Sequence, residues 1–438
     1  MSEWIDTTVR DVVVRCYSGP SPTCEERNIQ SPEEWGLLKT TAITWTGWNE
    51  SAHKVPPRGY WHNKAIEVHP GDILITKAGP RHRVGVVVHV PVTQARLMVS
   101  GKMIGLTPNT ATVFSRVLAG VLATQRPQKY LDHRTTGMAE SQVNFTNQTL
   151  LSTPVCLPPI REQRVIAQIL DTVDAAIRST ETLIAKLVQM KQGLLHDLLT
   201  RGVDDAGKLR DPVRSPKDFA STRLGPLPSD WQVTTLGAVI ASGEGFIQTG
   251  PFGSQLHAHE YVSDGVPVVM PQDIYDGEIE VGQVARVTEE KARSLPRHRM
   301  QTGDVVFARR GDLSKCAAVQ VDHEGWLCGT GSLLVRPALG LLAARWLAAF
   351  YGHDLSQRQI AAAAVGSTMV NLNSSLLGSL VLALPPRDEQ DRIVAAMDAY
   401  RSRIDTAAAN LEKLRSLKNG LMDDLLTGRV RVDDQETA

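Results

Sequence analysis

The sequence predicts an α+β chain with a pseudo-twofold internal repeat: two mixed α/β domains separated by two long helices that pair as an antiparallel intramolecular coiled coil. Three observations carry this. The stretches 157–203 and 384–430 align without a gap at a constant offset of 227 residues and are identical at 18 of 47 positions. Both place apolar side chains at alternating spacings of four and three. The segments between and before them are unlike each other and consist of short apolar runs broken by Gly, Pro and Asn, the pattern of strands and turns.

In chain order, the first domain covers 1–156. Strand-like runs fall at 11–15, 72–76 and 84–90. The first helix, within 157–203, carries Ile166, Leu170, Val173, Ile177, Thr180, Ile184, Leu187, Lys191, Leu194 and Leu198 on one seam. That is a heptad stripe. About 38 residues of helix would span roughly 57 Å. Pro158-Pro159 opens it, where the first N–H groups need no partner. Glu162 sits in the first turn, where the helix dipole favours an acid, and Gly202 lies past the last apolar position. Gly193 is costly inside a helix, and its recurrence as Gly420 implies a close helix contact. Lys191 and its counterpart Lys418 fall on the seam and are expected to snorkel or to mark a bend.

A polar linker, 204–224, reads as an exposed connector. The second domain, 225–383, has strand-like runs at 266–270, 304–308 and 333–336. Gly303-Asp304-Val305-Val306-Phe307 echoes Gly71-Asp72-Ile73-Leu74-Ile75, and Asn371 answers Asn144 at the offset of 227, so both domains are expected to share one fold. The second helix, 384–430, repeats the first in register with Ile393, Met397, Tyr400, Ile404, Ala407, Leu411, Leu414, Lys418, Leu421 and Leu425, and Glu389 and Gly428 mark its ends. Residues 431–438 form a C-terminal tail. Two copies in one chain favour intramolecular pairing over an exposed dimerisation coiled coil.

Composition narrows the function. A chain of 438 residues holds more than one domain. No apolar run is long enough for a membrane span, and the N-terminus lacks the basic and apolar regions of a secretory signal. Five cysteines without framework spacing fit reduced thiols and a cytoplasmic location. The formal net charge is zero, so any nucleic-acid contact must come from local basic surfaces. Residues 1–156 hold 16 Lys+Arg against 12 Asp+Glu, whereas 204–383 hold 16 against 19.

The residues that stand out resemble the specificity (S) subunit of type I restriction–modification enzymes over essentially the full length. They are the paired Leu-Pro-Pro-x-x-Glu-Gln segments at 157–163 and 384–390, the helix tail 194–203, Gly207-Lys208-Leu209-Arg210-Asp211-Pro212, Leu227-Pro228-x-x-Trp231, Thr249-Gly250-Pro251-Phe252-Gly253-Ser254 and 303–311. In the first domain Leu37-Leu38-Lys39, 43–47 and 71–75 contribute more weakly. The resemblance implies two target-recognition domains, each reading half of a bipartite asymmetric site in double-stranded DNA. It implies spacer helices that fix the distance between half-sites, two docked methyltransferase (M) subunits, and restriction/translocase (R) subunits in the full complex. It also implies no cofactor in this chain: S-adenosylmethionine belongs to the methyltransferase partner, ATP and Mg to the motor-nuclease partner. The two domains diverge, so no residue role is carried from one to the other.

Base readout needs Arg, Lys, Asn or Gln at base edges, and phosphate contact needs cations. In the first domain Lys77, Arg81 and Arg83 follow a predicted strand beside His82, Lys102 lies in a small loop, and Trp45-Thr46-Gly47-Trp48 makes an aromatic turn. In the second, Arg309 and Arg310 follow the matching strand, Arg297 and Arg299 flank His298, and Thr249 and Ser254 bound a Gly-rich loop able to approach a backbone closely. Each has a structural alternative: a solvated or ion-paired arginine, a core tryptophan, a purely structural turn.

Catalytic patterns are missing. Both Pro-Pro pairs at the helix starts follow leucine, not the Asn or Asp of an adenine methyltransferase motif, and no Gly-x-x-x-x-Gly-Lys-[Ser/Thr] loop is present. Glu289-Glu290-Lys291 lacks the upstream acid of a nuclease, and Cys316, His323 and Cys328 lack zinc spacing. The reading is therefore a non-catalytic DNA-recognition subunit. A coiled-coil scaffold without base readout is the competing class, and it has no need of two unlike domains.

Overall fold

The computed structural model describes residues 3–432 apart from 46, 276, 281, 283, 339 and 365–370, and leaves aside the side chains of 138, 139 and 364. Thr46 of the aromatic turn and 433–438 of the tail lie outside the described residues. The chain divides into two compact units, one formed by Met1–Thr182 with Ala408–Ala438, the other by Leu183–Ala407.

Each unit is built on the same antiparallel four-stranded sheet. In the first its order is Val13–Tyr17, Met103–Pro108, Ile73–Thr76, Val87–His89. In the second it is Phe246–Thr249, Ser332–Arg336, Val305–Ala308, Cys316–Ala318. The apolar run of each central strand is buried on both faces. A second sheet, of three strands in the first unit and four in the second, contains a parallel pair, Leu97–Met98 with Gly36–Leu38 and Val266–Val269 with Leu327–Cys328. A helix then covers the main sheet, Ser115–Ala123 in one unit and Ala344–Gly352 in the other.

A two-stranded ribbon closes each unit. Ile5–Thr8 pairs with Pro154–Leu157, opposing Ile5 to Leu157. Gln232–Thr235 pairs with Val381–Leu384, opposing Gln232 to Leu384. Both registers obey the offset of 227. The strand expected at 11–15 begins later, because Asp11 accepts bonds from the Thr7 and Thr8 hydroxyls and the Thr8 N–H and so draws Val9–Val12 into one helical turn.

The long helices run Ile160–Thr200 and Arg387–Leu426. In the first unit, the start of one packs on the end of the other: Ile166 and Leu170 share a core with Leu421, Leu425 and Leu426. In the second, Leu194, Leu198 and Leu199 share a core with Ile393 and Met397. The pairing within each unit is therefore antiparallel, and its apolar seam follows the heptad positions.

Four details differ from expectation. A Cβ on Gly193 or Gly420 would meet nothing within 4 Å, so neither marks a close helix contact. Lys418 does not simply snorkel into solvent, because its amine pairs with Asp174 at 2.8 Å across the two helices. The linker is not a bare connector: Phe219–Thr222 forms a hairpin with Gly225–Pro228, and Arg210 is anchored. The anchor is Glu389, 1% exposed, which accepts from Arg210, the Trp231 Nε1–H and the Val203 N–H. Its counterpart Glu162, 6% exposed, accepts from Arg431 through Nε and Nη2, both at 2.8 Å. The two glutamates thus hold chain segments in place, beyond any effect on the helix dipole. Gln163 and Gln390 act alike: each side-chain oxygen accepts an N–H at the start of the covering helix, from Phe114 and Ala343 at 2.8 Å.

Candidate nucleic-acid interface

In the first unit the strand Ile73–Thr76 delivers Lys77. The strand's start is fixed by Asp72, 2% exposed, whose carboxylate accepts from the Tyr17 and Thr107 hydroxyls at 2.7 Å and from the His69 N–H at 2.9 Å. Burial, with the carboxylate alongside, holds the Tyr17 phenol far above its usual value, so it remains a donor. At the strand's end the Lys77 N–H donates to the Lys102 carbonyl, and the Lys77 carbonyl accepts from the Phe145 N–H. The Lys77 amine then donates to Ser18 Oγ at 3.1 Å, and burial lowers its pKa. Ser18 opens a Ser-Gly-Pro turn in which a Cβ on Gly19 would lie 1.6 Å from the Val99 carbonyl oxygen. Only glycine lets the loop sit so close.

The second unit repeats this arrangement with other side chains. Asp304, 1% exposed, takes the place of Asp72 and accepts two bonds from Arg336 at 2.7 Å. The strand Val305–Ala308 delivers Arg309, whose N–H donates to the Gly331 carbonyl and whose carbonyl accepts from the Leu372 N–H. Its guanidinium lies 5.6 Å from the Phe252 ring centroid, while its buried Nε has no hydrogen-bond partner among the described residues. Phe252 belongs to the Thr249-Gly250-Pro251 loop, where a Cβ on Gly250 would lie 2.0 Å from the Gly329 carbonyl oxygen. In both units, then, a cation one residue past the central strand meets a Ser/Thr-Gly-Pro loop pressed against the neighbouring backbone.

The other sequence candidates sort by their partners. Arg310, Arg297, Ser254 and Lys102 are exposed, and no ion pair engages the three cations among the described residues. Arg81 is occupied: it pairs with Asp132 and, at 2.8 Å, with Glu140. Arg83 braces the domain by donating to the carbonyls of Thr40 and Ile43. Arg299 pairs with Glu289 at 2.6 Å. Neighbouring His298, whose pKa is lowered by burial, meets Gln248 beside Thr249, Nδ1 to Nε2 at 3.1 Å. Trp45 is exposed, while the Trp48 indole donates to the Val92 carbonyl. No group of three His, Cys, Asp or Glu side chains among the described residues could hold a metal ion, and burial pushes the Cys316 thiol up to about 12.

Residues 52–189 match the type I restriction modification DNA specificity domain family. The chain is 32% identical over 199 residues to the EcoEI specificity subunit of Escherichia coli, an alignment covering 45% of this chain and 33% of that protein. It is 23% identical to the MjaVIII specificity subunit of Methanocaldococcus jannaschii, covering 63% of this chain and 62% of that protein. In both cases the chain spans less than two thirds of the relative. Among solved structures, the S subunit of a type I restriction–modification system from M. genitalium superposes with a TM-score of 0.54 at 14% identity, covering 96% of each chain. The chain is thus similar in part of its sequence to specificity subunits of type I restriction enzymes, and along most of its length in fold to a solved S subunit.

The sequence pattern hides one element of this chain. Ser18-Gly19-Pro20 is the counterpart of Thr249-Gly250-Pro251, but the two lie 231 residues apart (18 and 249) rather than 227. That four-residue shift conceals it from a fixed offset. The described helices include none long and apolar enough to cross a membrane.

Proposed function

We propose that this chain is the non-catalytic DNA-recognition subunit of a type I restriction–modification enzyme. Each unit's mixed domain reads one half of a bipartite, asymmetric site in double-stranded DNA. The long helices set the spacing and dock two methyltransferase subunits, with restriction/translocase subunits joining in the full complex. The partner methyltransferase brings S-adenosylmethionine, and the motor-nuclease brings ATP and Mg. The observation that carries this reading is one scaffold used twice with different tips: the same strand order, the same anchoring aspartate and the same Ser/Thr-Gly-Pro loop present Lys77 in one unit and Arg309 in the other. A protein that only holds partners has no use for a conserved support with exchanged reading groups. The family of the relatives supports the same conclusion.

The test is a genome-wide map of methylated adenines in cells co-expressing this chain with its cognate methyltransferase subunit. One asymmetric motif, with two short defined halves around a fixed unread gap, is expected. Methylation confined to a continuous motif, with a methyltransferase verified as active, would overturn the reading.

A further inference from the structure

We propose that the segment 56–64 of the first unit is a DNA phosphate-binding surface, with Arg58 and Lys64 as its cations. The proposal rests on the DNA-recognition reading above and deepens it, since none of these residues belongs to the strand-end loops already described. The segment reads Pro56-Pro57-Arg58-Gly59-Tyr60-Trp61-His62-Asn63-Lys64, basic and aromatic without one acid. Arg58, Tyr60, His62, Asn63 and Lys64 are all exposed.

Exposure alone describes a solvated loop, but this one is built. The Trp61 indole donates to the Pro56 carbonyl at 2.9 Å, and the Tyr60 and Trp61 N–H groups close turns on the carbonyls of Pro57 and Arg58. The Arg58 guanidinium sits 5.5 Å from the Trp61 ring centroid. Asn63 caps the next turn by accepting from the Ala65 N–H. His62 holds a left-handed backbone, φ 62°, with its ring edge-on to Trp35 at 5.5 Å. A non-glycine residue held there is strained and persists only where its surroundings impose it. The side chains are thus presented from a fixed support, which lowers the ordering cost of binding.

The two cations also lack direct partners. No ion pair engages Arg58 or Lys64 among the described residues. Glu25 pairs with Arg27 and Glu26 with Lys39 and Lys54, while the Glu67 carboxylate, held by the Arg96 N–H, makes no ion pair with either. The segment in the same place in the second unit, after the strand Ala285–Val287, opens instead with the helix Glu289–Ser294, where Glu289 neutralises Arg299. Two free cations on a rigid, exposed loop suit phosphates, which need charge rather than pattern.

The experiment uses the assembled complex of the full chain with its methyltransferase subunits, and measures Kd against salt on a duplex carrying the mapped site and on an unrelated duplex. Each lost phosphate contact lowers the slope of log K against log salt by about 0.9. The variant R58Q/K64Q is therefore expected to lower the slope by about 1.8, weaken both duplexes by the same factor and leave the methylated motif unchanged, whereas R58K keeps the wild-type slope. An unchanged slope in R58Q/K64Q, with specific binding by the wild type, overturns this proposal alone. Loss confined to the specific duplex overturns it too, since that is base reading. A wild-type complex without specific binding overturns the recognition reading and this proposal together.

Discussion

Lys77 and Arg309 occupy one position and differ in chemistry. Arg309 offers a planar fork that matches the two acceptors of guanine, whereas Lys77 offers a single point charge, already directed at Ser18. Arg309→Lys keeps the charge and removes the fork. It is expected to cost about 1–3 kcal/mol of discrimination at one half-site and nothing at the other. Methylation rates on duplexes altered one base at a time would show it, and an equal loss at every base would assign Arg309 to phosphate. The position of this residue was legible, because a Gly-Asp start and an apolar run announce the strand that carries it. The state of its neighbours was not. Arg81 and Arg83 look as free in the sequence as Arg310, yet their partners, Asp132, Glu140, Thr40 and Ile43, lie far along the chain. Spacing cannot separate a brace from a reader.

The helices were the most legible elements, because heptad spacing is local and the repeat shows it twice. What the pattern could not show is that each helix start is a socket. Glu389 is buried among Arg210, Trp231 and Val203, and their separations of 179, 158 and 186 residues leave no periodicity to detect. Glu389→Ala takes the buried carboxylate from the Arg210 guanidinium, only 19% exposed, and leaves it the more exposed Asp230 at 3.1 Å. The expected loss is about 3 kcal/mol, the lower end for a broken buried pair, because Asp230 still offsets part of the charge. Urea unfolding followed by Trp231 fluorescence would measure it; a loss below about 1 kcal/mol would assign the pair to the weak surface class. Gly193 and Gly420 teach the converse. Their recurrence suggests contact, but both face open space, so the repeat alone does not establish packing.

At the scale of the whole molecule, the duplication is complete but uneven. Equivalent positions are 227 residues apart at the ribbons and helices, while Asp72 and Asp304 are 232 apart and Lys102 and Gly331 are 229 apart. Insertions in the domains shift the register, so a fixed offset reveals the helices and hides the shared sheets. The units also differ in how many buried histidines they carry. In the first, burial lowers the pKa of His89; in the second it lowers those of His298, His323 and His353, and His196 adds to the effect on His353. His353 Nδ1 accepts from the Leu355 N–H and its Nε2 faces His196 Nδ1 at 3.1 Å, so a proton on His353 Nδ1 would displace the Leu355 bond. Such groups bind fewer protons folded than unfolded. The second unit therefore loses stability as pH falls through the unfolded value of about 6.5, and keeps it above. Hydrogen exchange by peptide between about pH 7.5 and about pH 5.5 should show the second unit opening more on acidification, and His353→Asn should flatten the trend; equal responses in both units would refute it. The socket at Glu162 has a consequence for truncation. A break before Arg431 would leave Glu162, 269 residues earlier in the sequence, buried without its guanidinium. A cut far along the chain would thus be felt as a substitution inside the first domain.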